Sequence, residues 1–154
     1  MARNEHFSAG RCLTFSEQIH RMAVICPWFN LHSMRRQVEA LWFGEVRPTA
    51  VSDLYTVSLR HRANWCPEVR VASPALRIRP GAKSLPHVYG DGSLCLHTLS
   101  DWQPSRFIAD FVVPWVSIWL YFYEVWFATG LWIGGGTHPE KPEHCSQLTP
   151  GRAW

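Results

Sequence analysis

The chain has 154 residues, 47% of them hydrophobic, and a formal net charge of +3. That length fits one domain, and the apolar content is enough for a real core. The positive charge is mild and scattered, with no basic run interleaved with aromatics, which argues against direct nucleic-acid binding.

Residues 1–13, MARNEHFSAGRCL, are polar and irregular and read as a flexible N-terminal arm. They hold no apolar stretch of the secretory kind. The cysteines, at 12, 26, 66, 95 and 145, are odd in number and form no CxxC pair. That usage speaks against a disulfide framework and for a reducing compartment, so a cytoplasmic protein is expected. Thr14-Phe15-Ser16-Glu17 fits a capping box, in which the Thr oxygen caps a helix and the Glu reaches back. Ile19, Met22, Ala23 and Cys26 follow at helical spacing, and Pro27 stops the helix. A core-packing helix is the reading, with Cys12 and Cys26 structural or incidental.

From Val38 the pattern is extended: Val38–Phe43 runs into Gly44, then Glu45-Val46-Arg47, then Pro48. Leu54–His61 is the clearest strand, with Tyr55, Val57 and Leu59 on one face and Thr56, Ser58 and Arg60 on the other. Glu68–Ala72 is another strand, broken by Pro74 from Ala75–Ile78. The short connections favour an antiparallel meander over βαβ units.

Leu85–Trp102, LPHVYGDGSLCLHTLSDW, carries the chemistry. Asp91-Gly92 signals a tight turn, because glycine tolerates the positive φ such turns need. Ser93–His97 then alternates, which places Leu94 and Leu96 on the face opposite Cys95 and leaves the sulfur accessible. His97, two residues on, shares the face of Cys95. Phe107–Ile133 is long, apolar and aromatic, with only Asp110 and Glu124 charged. Length alone allows a membrane span. Glu124 inside the run, Pro114 interrupting it and the lack of a Lys/Arg bias in the flanks argue for a buried helix. Glu124 reads as a satisfied acid, bonded for instance to an indole N–H. The tail from about Gly134 is rich in Gly and Pro and reads as loop. Gly134-Gly135-Gly136 lacks the Lys-Ser/Thr of a phosphate loop. His138, His144 and Cys145 fit no standard closed zinc site. No metal or cofactor is expected.

The stretch around Cys95 resembles the active site of ubiquitin-conjugating enzymes, the UBC fold. Their pattern is His-Pro-Asn, a turn with Gly, a hydrophobic residue, Cys, Leu, and later Trp with a nearby Pro. This chain has Leu85-Pro86-His87, Asp91-Gly92, Leu94-Cys95-Leu96 and Trp102-Gln103-Pro104. Leu85 stands at the family His and His87 at the family Asn. His-Val-Tyr before the turn, with Pro-Trp, Trp-Leu and Tyr-Glu after it, is similar to the bacterial branch that accompanies CBASS anti-phage operons. The resemblance covers roughly residues 14–133. It implies an α+β fold: N-terminal helix, antiparallel β-meander, catalytic-cysteine loop and C-terminal helix. Residues 14–154 would form the single domain.

By that resemblance Cys95 accepts the C-terminus of a partner protein as a thioester and passes it to a lysine or another nucleophile. The partner implied is a cGAS-like cyclic-oligonucleotide synthase, its C-terminal tail serving as acyl donor; a lysine-bearing protein is the acceptor. Activation would come from another protein or by some other route. His87 takes the place associated with the oxyanion. It would donate a ring N–H to that charge, act as base, or only brace the loop. His97 would help deprotonate the amine, or is a surface histidine. Tyr89 shapes the cleft, Asp91 is a turn residue, and Trp102 packs the loop, with Pro104 beginning the next helix. The alternatives are a non-catalytic UBC-like binding module and a membrane-associated protein built on residues 107–133.

Overall fold

The computed structural model describes residues 11–63, 65–96 and 102–136. The elements run α1 (Phe15–Ile25), β1 (Phe29–Arg35), β2 (Glu39–Val46), β3 (Tyr55–Arg62), β4 (Glu68–Ser73) and α2 (Ile108–Thr129). The four strands form one antiparallel sheet in the order β1-β2-β3-β4. This is the α+β arrangement the sequence implied, with one addition: β1 lies where no strand was expected.

Local chemistry accounts for most boundaries. The Thr14 hydroxyl accepts from the Glu17 N–H at 3.2 Å while the Glu17 carboxylate accepts from the Thr14 N–H at 2.8 Å, the reciprocal box that starts α1. Period-two burial follows on the strands. Ala40, Trp42 and Val46 of β2 face inward beside Tyr55, Val57, Leu59 and His61 of β3. Gly44 is needed on that face, because a Cβ there would lie 2.4 Å from the Phe29 ring. β1 is held by its ladder to β2 rather than by burial, since only Phe29 of it is covered.

Both helices close over this one face. Met22 of α1 and Val112, Val116, Trp119, Leu120, Tyr123 and Trp126 of α2 join the strands in a single core. Gln18, only 1% exposed, locks the helices together. Its amide N–H donates to the Arg106 carbonyl at 2.9 Å, and its amide oxygen accepts from the Ile108 N–H at 3.0 Å. Phe107, at the N-cap of α2, offers no side-chain cap; Gln18 supplies one from across the core. Arg21 adds a two-pronged ion pair to Asp110 in the first turn of α2, at 3.0–3.2 Å.

α2 differs from its sequence expectation at three points. It runs unbroken through Pro114, and it begins at Ile108 rather than at Pro104. It stops at Thr129, where Gly130 takes φ 83° and its N–H caps the Trp126 carbonyl at 2.8 Å. By length and composition α2 is apolar enough to cross a membrane; in this fold its inner side is built into the core.

Among the described residues Glu124 bonds to no indole. It accepts from the Ser52 hydroxyl at 2.6 Å, the Tyr55 hydroxyl at 3.0 Å and the Asp53 N–H at 3.2 Å. Burial first, then this hydrogen bond, pushes the Tyr55 phenol well above its ordinary range. Glu124→Ala would leave these donors without their shared acceptor and should cost about 2–3 kcal/mol in a urea melt. Gln, which still accepts, should cost less. Equal losses for Ala and Gln would show that the charge, not the acceptor, matters.

Candidate functional site

The segment from Leu85 to Leu96 folds as a tight hairpin against β4. Val88 bridges Leu94, the Tyr89 N–H donates to the Ser93 carbonyl at 2.8 Å, and the Cys95 N–H donates to the His87 carbonyl at 2.9 Å. The Gly92 N–H closes the turn on the Tyr89 carbonyl at 2.9 Å, with Gly92 at φ 86°. This register alternates the side chains. Leu94 turns into the core at 4% exposure, while positions 87, 89, 93 and 95 share the other face. The Leu94 N–H also donates to the Val69 carbonyl at 2.8 Å, which ties the hairpin to the sheet.

Asp91 does more than make the turn. Its carboxylate accepts from the Ser93 N–H at 3.1 Å and the Ser93 hydroxyl at 2.7 Å. The Arg70 guanidinium grips both that carboxylate and the Asp91 carbonyl. Arg70 also pairs with Glu68 at 2.8 Å. The bend that precedes the cysteine is thereby stapled to β4.

Cys95 carries a free thiol and is half-buried. The Tyr89 phenol is raised well above its ordinary value, by burial first and then by its interaction with the Cys95 thiol. A phenol kept protonated beside a sulfur keeps an O–H available to it.

His87 is held from two sides. Its carbonyl accepts from the Trp119 indole N–H at 3.2 Å as well as from Cys95. Its ring stacks on Trp132, centroids 4.7 Å apart and planes 18° from parallel. Its φ is 49°, the left-handed region, which a non-glycine residue keeps only where its surroundings over-determine it. Leu85, at the position of the family histidine, is partly buried and packs on the core.

Of the other candidates, Trp102 is buried at 1% exposure, edge-on to His61 at 6.3 Å. His97, His138, His144 and Cys145 lie outside the described residues. Cys12 and Cys26 are free, and burial raises the Cys26 thiol. Cys66, 8% exposed, is disulfide-bonded, although the cysteine pattern pointed away from cross-links. Among the described residues no group of three His, Cys, Asp or Glu is placed to hold a metal ion.

Trp132 was missed. Leu131-Trp132-Ile133 reads as the last turn of an apolar helix, and the signal against that is Thr129-Gly130, a helix end followed by a reversal.

A helix, a four-stranded meander, a braced hairpin offering one thiol and a closing helix make an α+β domain. The chain matches the Type II CBASS E2 protein family over residues 18–139 and belongs to it. Its role is therefore E2-like and lies in CBASS anti-phage systems. Among curated proteins none matches the chain at a significant level.

Proposed function

We propose that Cys95 is the acyl-carrying nucleophile of a protein-conjugating reaction. The single observation that carries this is the free, half-buried Cys95 thiol presented from the Arg70-stapled hairpin of an E2 family member, with Tyr89 on the same hairpin interacting with it. The thiolate attacks the carbonyl carbon of an activated C-terminal carboxyl, the C–S bond forms and the activating group leaves. An amine then attacks the thioester carbonyl, the C–N bond forms, and the sulfur departs as thiolate while the amine proton passes to a base. Tyr89 donates to the sulfur whenever it carries charge. His87 supplies the oxyanion donor or the base, and His97 is the second candidate for the base.

The acyl donor in this reading is the C-terminal tail of a cGAS-like cyclic-oligonucleotide synthase, and the acceptor is a lysine of a protein, in the cytoplasm. The chemistry asks only for a flexible terminus that reaches the sulfur, supplied as an activated acyl group.

The test mixes the protein with that synthase and its activating partner. Wild type forms an adduct cleaved both by thiols and by neutral hydroxylamine, the second reagent separating a thioester from a mixed disulfide. Cys95→Ala forms none, and Cys95→Ser forms none or a thiol-resistant ester. A wild type that forms no such adduct, or a Cys95→Ala variant that still does, overturns the assignment.

A further inference from the structure

We propose that Trp132 is a positioning residue of the Cys95 site, acting through His87, and that the chain after α2 is shaped to deliver it. This rests on Cys95 being the reacting thiol.

The delivery is built from identifiable parts. Gly130 reverses the chain at the end of α2. The Thr129 hydroxyl donates to the Val125 carbonyl at 2.7 Å and accepts from the Leu131 N–H at 3.1 Å, which fixes the direction of exit. The indole of Trp132 then lies among His87, Trp119 at 5.6 Å and Phe122 at 5.8 Å. The glycine run keeps it there. A Cβ on Gly134 would lie 2.4 Å from the Phe122 ring and 2.9 Å from Trp132 Nε1, and one on Gly136 would meet His87 Cε1 at 3.4 Å. Gly134, which looks like spacer in the sequence, is thus required by the close approach of backbone to ring, while Gly135 and Gly136 serve by their positive φ.

The consequence falls on one side chain. A histidine on a hairpin has two free side-chain torsions. Near-parallel stacking on the indole restricts the imidazole to one plane, and the carbonyl of the same residue is fixed by Cys95 and Trp119. A donor or base fixed in advance spends less of its effect on reorganisation at the moment of reaction. Trp132 therefore acts on the rate of the acyl-transfer step rather than on donor binding.

Two readouts test this. In single-turnover transfer from the charged enzyme to an amine, His87→Ala and Trp132→Leu are each expected to slow the step about tenfold to a hundredfold, with the dependence on amine concentration unchanged. The double variant is expected to be no slower than His87→Ala alone, and Trp132→Phe, which keeps a ring on the imidazole, to recover most of the rate. Gly134→Ala, which forces Trp132 or Phe122 to move, is expected to reproduce the loss of Trp132→Leu. Independently of the reaction, the ring protons of His87 are expected to show an upfield ring-current shift by NMR, lost in Trp132→Leu and kept in Trp132→Phe. Fully additive losses in the double variant, or His87 protons unmoved by Trp132→Leu, overturn the proposal. A wild type that forms no adduct overturns the assignment of Cys95 and the catalytic part with it. The NMR shift then still decides whether Trp132 fixes His87.

Discussion

Trp102→Ala is expected to destabilise the fold by about 3–5 kcal/mol, read as the shift of a urea melt at pH 7.5. Trp102 is 1% exposed and is one of the largest side chains in the core. Its indole stands edge-on to His61 in the core, so its loss opens a cavity beside that ring. Its indole Nε1 is buried and, among the described residues, has no hydrogen-bond partner. An unmade bond of that kind costs about 1–3 kcal/mol. Phenylalanine keeps much of the ring contact and removes the orphaned donor, so Trp102→Phe should cost less than about 2 kcal/mol. If Phe and Ala lose equally, the indole N–H is bonded after all, and the packing account of Trp102 fails.

The second large effect is a loss of stability in mild acid, traced to His61. It lies on the inner face of β3, paired with Ala40 across the ladder. The ring stacks on Phe15 of α1 at 5.0 Å, and Trp102 stands edge-on to it. No charged group appears among these neighbours, and among the described residues Nδ1 has no hydrogen-bond partner. Burial alone lowers its pKa from 6.5 to about 4. The unfolded chain therefore binds this proton more readily than the folded one. Above pH 6.5 the residue has no effect. Stability falls as the pH drops from 6.5 toward 4, by about 3 kcal/mol at the lower end.

The exposed Glu17 adds a separate, lower window. Arg11 and Thr14 hold its carboxylate down to about 2, so what it contributes is lost only as the pH falls below 4.5. Urea midpoints taken from pH 7.5 to 4 should fall steeply for wild type. For His61→Phe they should stay nearly level until the carboxylates begin to titrate. Parallel curves for the two proteins would remove His61 as the cause.

What could be read from the sequence depended on how far each signal reaches along the chain. The α1 cap needed only Thr14 and Glu17, and the inner face of β3 only its alternation. Asp91-Gly92 marked the turn before Cys95 unaided. β1 escaped because every residue of it after Phe29 is exposed and its alternation is broken between Leu31 and Ser33; its existence depends on the hydrogen bonds that β2 offers. The end of α2 escaped because Leu131, Trp132 and Ile133 are as apolar as the helix before them. Glu124 was read as a satisfied acid, yet the donors described on it come from the β2–β3 connection and the first residue of β3 rather than from an indole, and no local pattern names them.

The sequence by itself determined α1, the strands β2 to β4, the bend, and which thiol follows the bend, because caps, turns and alternating faces are set by neighbours a few residues apart. Only the tertiary structure decided what surrounds that thiol. Arg70 meets Asp91, Gln18 caps a distant helix, and Trp132 lies on His87 because helices and sheet must share one buried face. That requirement brings together side chains whose separation along the chain carries no record of their contact.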